Sequence, residues 1–405
     1  MSYLIYVAMQ YNLPEIARRL RLLRRRAAVA LLGGAQRPEA AAYETTARDR
    51  ERPPPKPVAG HLWLRQRIAL ALQGGGAHGA FSWGVLDRLL EDGNAAIVAI
   101  SGASAGAING CVLAAGMLEG GPETARERLD RLWRRLAELA RFSPLRPTPF
   151  ERLVLGRNSE WSFSHLAFDL VSRLYSPYQL NPLGLSPLRR LLVELIDFER
   201  LSDPAAIRLV VAATSVETGA ARLFENAELS PDVLLASACL PTLYPAVKLD
   251  DGHYWDGGFT ANPPLLPLVE AGGADDILIV RTNPTQESGV PTSARGIQAR
   301  LSRIVFDSPL KRELEGIAWL RRAARKEGAA LPAGARRLTS LRLHSIGDDD
   351  VLTRLGNASK LHPDWPLVET LKEAGRSAAE RWLVTGTWRR HAANDDDAGS
   401  AGLAI

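Results

Sequence analysis

The sequence predicts an α/β protein whose central sheet is mostly parallel and covered by helices on both faces. Two short runs, residues 67–72 and 96–100, are apolar except for one arginine, and each leads through small residues into a helical pattern. Apolar strands of this kind are typical of parallel sheets buried on both sides, and the strand–turn–helix repeat connects such strands. We therefore expect three layers, α/β/α, with a helical insertion at residues 123–200.

The composition is that of a globular chain. Its 405 residues are 46% hydrophobic and 23% charged, which excludes a disordered or collagen-like polymer. Two cysteines, Cys111 and Cys239, are too few for a disulfide framework and suit a reducing compartment. The first residues have neither the basic segment nor the cleavage site of a secretory signal. We therefore expect a cytoplasmic protein.

Positive charge is concentrated in an N-terminal extension. Residues 1–60 carry 11 Lys or Arg against 5 Asp or Glu, whereas residues 61–405 carry 39 against 40. Because the body is close to neutral, we predict no nucleic-acid partner. Residues 14–32 read as an Arg-rich amphipathic helix, which favours peripheral contact with the anionic inner face of a membrane. A solvated helix face or a helix docked on the body is the equally open alternative.

Three regions are predicted along the chain. Residues 1–60 form the basic helix and a Pro-rich linker, residues 61–385 form the main domain, and residues 386–405 form a disordered tail. The uncharged run 95–118 is long enough to span a bilayer. Its glycines and polar residues instead favour a buried strand, turn and helix.

Residues 102–106 form a Gly-x-Ser-x-Gly pentapeptide between a predicted strand and a predicted helix. This is the context of a nucleophile elbow, in which a strained turn presents the serine hydroxyl above the sheet. Glycines two positions before and after the serine let strand and helix approach each other. Ser104 is the predicted nucleophile, and the Ala105 N–H at the helix start is a predicted oxyanion donor.

A glycine-rich turn follows the first strand at residues 74–79. Its Gly-x-Gly-x-x-Gly spacing also fits a dinucleotide-binding fingerprint, but no acidic residue stands at the end of the next strand, where that fingerprint needs one. With a candidate nucleophile 28 to 30 residues downstream, a nest of backbone N–H groups for an oxyanion is the favoured interpretation. Gly74, Gly75 and Gly76 are the predicted donors.

Ser104 needs a base, and Asp256 is the preferred candidate. It follows a predicted hairpin that turns at 251–252, and two glycines after it let its carboxylate enter a close-packed site. None of the seven histidines stands in a recognisable context. Two alternatives stay open: a Ser–Asp–His triad of the α/β-hydrolase type, and a catalytically silent scaffold that associates with membranes. The triad would draw on one of His344, His362 and His391.

No metal or other cofactor is predicted, because the sequence has no His-x-x-x-His, Cys-x-x-Cys or calcium-loop pattern.

The three motifs, in this order, resemble the patatin-like phospholipase family. The resemblance covers roughly residues 66–285, and Ala-Ser-Ala-Cys-Leu-Pro at 236–241 and Asn-Pro-Pro at 262–264 are similar to bacterial members. It implies a patatin-like fold and a Ser104–Asp256 dyad that hydrolyses carboxylic esters of lipids, phospholipids or acylglycerols, through an acyl-enzyme. His78 departs from the family, which usually has Arg or Lys there, so the charge role of this side chain stays open.

Overall fold

The structure, a computed structural model, describes residues 66–141, 175–181, 186–327, 340–355 and 358–385. The predicted basic helix, the linker and the tail at 386–405 lie outside these residues, as does much of the predicted insertion. The domain boundaries expected there stay predictions.

The described strands form one mixed, mostly parallel sheet. The strands are β1 (Gln66–Leu72), β2 (Ala95–Ala103), β3 (Arg208–Ser215), β4 (Ala221–Glu225), β5 (Val247–Leu249), β6 (Gly252–Asp256), β7 (Asp276–Val280) and β8 (Arg342–Ile346). Five of them pair in parallel in the order β3-β2-β1-β7-β8. Strands β4 and β6 pair antiparallel with β3, and β5 pairs antiparallel with β6.

Helices cover both faces of this sheet, which confirms the predicted α/β class. In the described residues they are α1 (Gly79–Asp92), α2 (Ala105–Gly120), α3 (Pro122–Ala140), α4 (Pro177–Leu180), α5 (Pro187–Leu195), α6 (Pro231–Ser237), α7 (Leu266–Ala271), α8 (Ala294–Glu327), α9 (Asp349–Leu355) and α10 (Trp365–Thr385). None of them combines the length and the apolar character needed to cross a membrane.

The side chains of β1 serve two separate cores. Ile68, Leu70 and Leu72 belong to a large apolar cluster with residues of α1, α2, α3 and α10. Ala69 and Ala71 belong to a second cluster with residues of α7 and α8. Successive strand residues point to opposite faces, so this alternation places one helical layer on each side of the sheet.

The first two strand–helix units follow the sequence pattern closely. Helix α1 ends at Gly93, whose φ of 69° is a left-handed cap, as its glycine predicts. Strand β2 continues to Ala103, three residues beyond the predicted end, and α2 begins at Ala105. The small residues 101–103 stay in the strand because they pair with β3. The uncharged run 95–118 is therefore the buried strand and helix that its glycines predict.

The hairpin before Asp256 is formed by β5 and β6, as predicted. Leu249 pairs with Gly252, so the two-residue turn lies at 250–251, one position earlier than the predicted Asp-Gly. In the predicted insertion, the described residues are helical in α3, α4 and α5.

Candidate active site

Ser104 occupies a sharp elbow between β2 and α2. Its φ of 53° and ψ of −127° lie in a region that L-residues avoid, and it is the one non-glycine residue with positive φ in the described part of the chain. The Ser104 N–H donates to Ser237 Oγ over 2.9 Å, which ties the strained backbone to the end of α6. Strain of this kind marks functional sites, and here it lifts a hydroxyl from the sheet edge.

The two glycines of the pentapeptide are required by close backbone contacts. A Cβ on Gly102 would lie 2.6 Å from the Ala107 nitrogen, and a Cβ on Gly106 would lie 2.1 Å from the Leu72 carbonyl oxygen. The helix therefore approaches both its own strand and β1 more closely than any side chain allows.

Sheet pairing brings Asp256 beside Ser104. In the register, Ala103 of β2 pairs with Ala212 of β3, and the next β3 residue, Ala213, pairs with Asp256. The Ser104 hydroxyl donates a hydrogen bond to the Asp256 carboxyl group. The two predicted residues, 152 positions apart in the sequence, thus form one hydrogen-bonded pair.

Two glycines give the Asp256 carboxyl group its setting. The Gly258 N–H donates to Asp256 Oδ1 over 2.7 Å. A Cβ on Gly257 would lie 2.1 Å from the Ala212 carbonyl oxygen, so only glycine fits directly after the aspartate. The backbone of Asp256 is also fixed, because its N–H donates to the Cys239 carbonyl oxygen over 2.8 Å.

Burial controls the protonation of this pair. Asp256 is 1% exposed and Ser104 is 8% exposed. Removal from water raises the pKa of Asp256 to about 7, although the hydrogen bonds from the Gly258 N–H and the Ser104 hydroxyl act in the opposite direction. Among the described residues, no cationic side chain contacts this carboxyl group. Near neutral pH it can therefore exchange a proton with the serine.

The glycine loop presents two backbone donors beside this pair, and not three. The Gly74 N–H donates to Asn262 Oδ1 over 2.7 Å, so the predicted role of Gly74 as an oxyanion donor is corrected. Gly74 is needed for space, since a Cβ there would lie 2.9 Å from the Ser104 Cβ. Within the described ranges, the N–H groups of Gly75, Gly76 and Ala105 bind no acceptor.

Among the residues that the structure describes, no histidine reaches the Ser104–Asp256 pair. Neither residue has a histidine among its interactions with the described part of the chain. His344 lies on β8, where its Nε2 is 2.7 Å from Asp276 Oδ1. His362 is buried directly after a 3-10 turn at Ala358–Leu361, and His391 lies outside the described residues.

His78, the departure from the family pattern, is a buried neutral side chain. Burial and the nearby Lys360 lower its pKa to about 3. Its Nδ1–H therefore donates to the Thr282 carbonyl oxygen at 3.4 Å, and its Nε2 accepts from Ser359 Oγ at 2.7 Å. His78 carries no charge near neutral pH, so it serves packing and hydrogen bonding.

Three supporting residues had no predicted role. Ser237 accepts the Ser104 N–H, Asn262 accepts the Gly74 N–H, and Thr282 donates its hydroxyl to the Gly74 carbonyl oxygen over 2.9 Å. Ser237 and Asn262 stand inside the two segments that carry the family resemblance, 236–241 and 262–264. These segments are the sequence signal that could have indicated both residues. Thr282 has no comparable signal, because its partner lies 208 residues away.

The fold and this site together define an α/β protein with a serine at a nucleophile elbow. Residues 70–269 match the patatin-like phospholipase family. Residues 70–269 therefore form a patatin-like phospholipase domain, and this family implies lipid acyl hydrolase activity. No curated protein sequence matches the chain.

Among solved structures, the chain is similar to VipD from Legionella pneumophila, with a TM-score of 0.37 and 17% identity over 80% of this chain and 67% of that one. A complex of full-length SpcU with full-length ExoU, from the type III secretion system of Pseudomonas aeruginosa, gives a TM-score of 0.26 and 19% identity. That match covers 79% of this chain and 53% of the matched chain, so this chain spans about half the length of the matched chain. These global similarities are low, and the family assignment rests on residues 70–269.

Proposed function

We propose that the protein hydrolyses the carboxylic esters of lipids (phospholipids or acylglycerols) through a Ser104–Asp256 dyad and an acyl-enzyme intermediate. The observation that carries this proposal is the hydrogen bond from the Ser104 hydroxyl, held on a strained elbow, to the buried carboxyl group of Asp256. Within the described part of the chain, this carboxyl group has no cationic partner. The family match supports the substrate class.

In the first half-reaction, ionised Asp256 accepts the Ser104 proton as Oγ attacks the ester carbonyl carbon. The N–H groups of Gly75, Gly76 and Ala105 donate to the oxyanion that forms, since these donors have no acceptor in the described residues. The tetrahedral intermediate then collapses. Its C–O bond breaks, and the leaving alcohol, a lysophospholipid or glycerol derivative, takes the proton from Asp256.

In the second half-reaction, water attacks the acyl-enzyme. Asp256 accepts a proton from this water, the same N–H groups hold the second oxyanion, and the fatty acid leaves as Ser104 Oγ recovers the proton. A carboxylate of ordinary pKa is a weak base for a hydroxyl group. Burial of Asp256 reduces this mismatch, because it raises the pKa of the carboxyl group to about 7.

A fluorophosphonate probe followed by peptide mapping tests the proposal. We expect the label on Ser104, no label in Ser104→Ala, and no turnover of a p-nitrophenyl ester above background by that variant. Ser82→Ala is a matched control, because Ser82 is also buried but lies on α1. Labelling of another residue in the wild-type protein, or turnover by Ser104→Ala, would overturn the assignment.

The same measurements separate the alternatives. A triad predicts that one of the single variants His344→Gln, His362→Gln and His391→Gln loses turnover while it stays folded. The dyad predicts that kcat changes only by a small factor in each. A catalytically silent scaffold predicts that the wild-type protein neither reacts with the probe nor hydrolyses any lipid ester.

We also propose that residues 1–60 hold the enzyme on anionic membranes, on the basis of their excess of 11 basic over 5 acidic residues. Each Lys or Arg near such a surface contributes about 1 kcal/mol, screened by salt. A chain that begins at residue 62 should hydrolyse soluble esters at the full-length rate and lose salt-sensitive binding to anionic liposomes. If this chain is insoluble or inactive on soluble esters, the predicted helix at 14–32 is a structural part of the enzyme instead.

A further inference from the structure

A short turn from the C-terminal region lies directly on the glycine loop. In the 3-10 turn Ala358–Leu361, the Lys360 carbonyl oxygen would be 2.3 Å from a Cβ on Gly76. Gly76 has a φ of 58°, so this position requires glycine both for its backbone and for the contact. Beside it, Ser359 Oγ lies 2.7 Å from His78 Nε2. The turn therefore contacts the loop at Gly76 and again at His78.

A chain of hydrogen bonds leads from Lys360 to the residue that precedes the glycine loop. Lys360 Nζ donates to Asn283 Oδ1 over 2.5 Å, and Asn283 Nδ2 donates to Asp307 Oδ1 over 2.6 Å. Gln73 Nε2 donates to the same Asp307 oxygen over 3.3 Å, and Gln73 Oε1 accepts the N–H of Thr282 over 2.9 Å.

The loop is thus held on both sides by groups distant in sequence. Gln73 fixes its entry and the 358–361 turn fixes its exit, and between them stand the N–H groups proposed for the oxyanion. Asn283, Asp307, Ser359 and Lys360 all lie beyond the family match at 70–269. The support of the loop is therefore a property of this chain's C-terminal region.

We propose that Lys360 and Ser359 are positioning residues of the oxyanion hole, which hold Gly75 and Gly76 where their N–H groups meet the developing negative charge. This inference rests on the proposed function, because it assigns a role within the same reaction. Preorganised donors stabilise a transition state only if they stay fixed as the charge forms. Misplacement by about 1 Å can cost 10²-fold in rate. We call the contacts of the 358–361 turn with the glycine loop the clamp. Loss of the clamp should consequently lower kcat and leave KM nearly unchanged.

The charges around Lys360 make the clamp sensitive to alkaline pH. Its ammonium group faces Asp307, Glu287 and Arg303, and His78 beside it is neutral. Burial lowers the pKa of Lys360 to about 8, although Asp307 and Glu287 act in the opposite direction. As pH rises through this value, Lys360 loses its charge opposite Asp307, so the clamp should weaken on the alkaline side.

Lys360→Met is the main test, because it removes the charge and the hydrogen bond to Asn283 while it keeps the length of the side chain. We expect kcat on a soluble ester to fall about 10- to 100-fold, with KM within threefold and the fluorophosphonate labelling rate of Ser104 reduced in parallel. Lys372→Met is the matched control, since Lys372 is a partly buried lysine on α10 that packs over Trp83. It should keep the wild-type kcat.

Two further variants decide the outcome if Lys360→Met does not fold. Lys360→Arg should restore most of kcat and shift its alkaline decline to higher pH, because guanidinium stays charged. Ser359→Ala, which removes only the hydroxyl group bound to His78, should also lower kcat more than KM. The inference is overturned if folded Lys360→Met and Ser359→Ala both keep kcat within twofold of the wild type. Absence of labelling and turnover in the wild-type protein would instead defeat the proposed function itself.

Discussion

Two aspartates, Asp256 and Asp276, lie at opposite ends of the sheet and are equally buried, each 1% exposed. Their pKa values shift in opposite directions. Burial raises the pKa of Asp256 to about 7. Burial also acts to raise the pKa of Asp276, but the hydrogen bonds from Arg342, His344 and Gln66 outweigh it and lower the pKa well below its usual range.

The difference lies in the partners and not in the burial. Arg342 donates two hydrogen bonds to Asp276, from Nε to Oδ1 over 2.7 Å and from Nη2 to Oδ2 over 2.6 Å. His344 Nε2 lies 2.7 Å from Asp276 Oδ1. Asp256 has the Gly258 N–H and the Ser104 hydroxyl instead. A carboxylate that binds a cation is stabilised in its ionised form, so it serves as a structural link. A buried carboxylate that binds only neutral donors takes up a proton more easily.

The largest expected effect is on catalysis. Asp256→Asn keeps the shape of the side chain but removes the proton acceptor, so kcat should fall by about 10²-fold or more. Asp276→Asn removes an equally buried carboxylate, at a distance of roughly 15–20 Å along the strands, and should change kcat by less than threefold. Steady-state kinetics on a soluble ester checks both variants. Equal losses of kcat in two folded variants would abolish the distinction between the two aspartates.

The pH dependence of kcat sharpens the comparison. Because Asp256 must be ionised to act as a base and its pKa is raised to about 7, kcat should fall about tenfold per pH unit as pH drops below 7. The lowered pKa of Asp276 keeps that residue ionised throughout this range. Asp276→Asn should therefore keep the acid limb of the profile unchanged. A profile that stays flat from pH 7 to pH 5 contradicts the assignment of Asp256 as the base.

The smallest effect is on stability, and its sign differs between the sites. A raised pKa means that Asp256 favours the folded state at low pH and that this contribution is lost as pH rises through 7. Asp256→Asn should therefore raise Tm by a few degrees at pH 8 and have less effect at pH 5. Asp276→Asn should lower Tm at pH 7, since it removes the carboxylate that accepts hydrogen bonds from Arg342, His344 and Gln66. Thermal unfolding at the stated pH values measures both changes, and a lower Tm of Asp256→Asn at pH 8 would contradict this account.

The parts of the fold that could be predicted depend on short-range signals. Apolar strands, the Gly93 cap and the hairpin before Asp256 are encoded by neighbouring residues, and the structure has each of them. The end of β2 was predicted too early, because Ser101 and Gly102 resemble turn residues. Their pairing with β3, more than a hundred residues later in the chain, keeps them extended.

The site divides in the same way. Ser104 and Asp256 could be proposed because each stands in a local glycine motif. Two other features could not be predicted: the hydrogen bond that occupies the Gly74 N–H, and the clamp at Lys360. Their partners lie 188 residues and at least 77 residues away in the sequence. The sequence around residue 360 has no pattern that points to a glycine loop at 74–76. Such contacts follow only from the assembled sheet and its helical layers.

The hairpin of β5 and β6 has a consequence for chemistry through strand register. The two-residue turn sets the pairing of Leu249 with Gly252, and β6 in turn pairs with β3 so that Asp256 stands opposite Ala213. Successive strand residues face opposite sides of a sheet, so a slip by one position would put Trp255 or a glycine where the carboxyl group now meets Ser104. The register of β6 against β3, a feature of backbone pairing alone, is therefore as much a determinant of the proposed reaction as the identity of the proposed base.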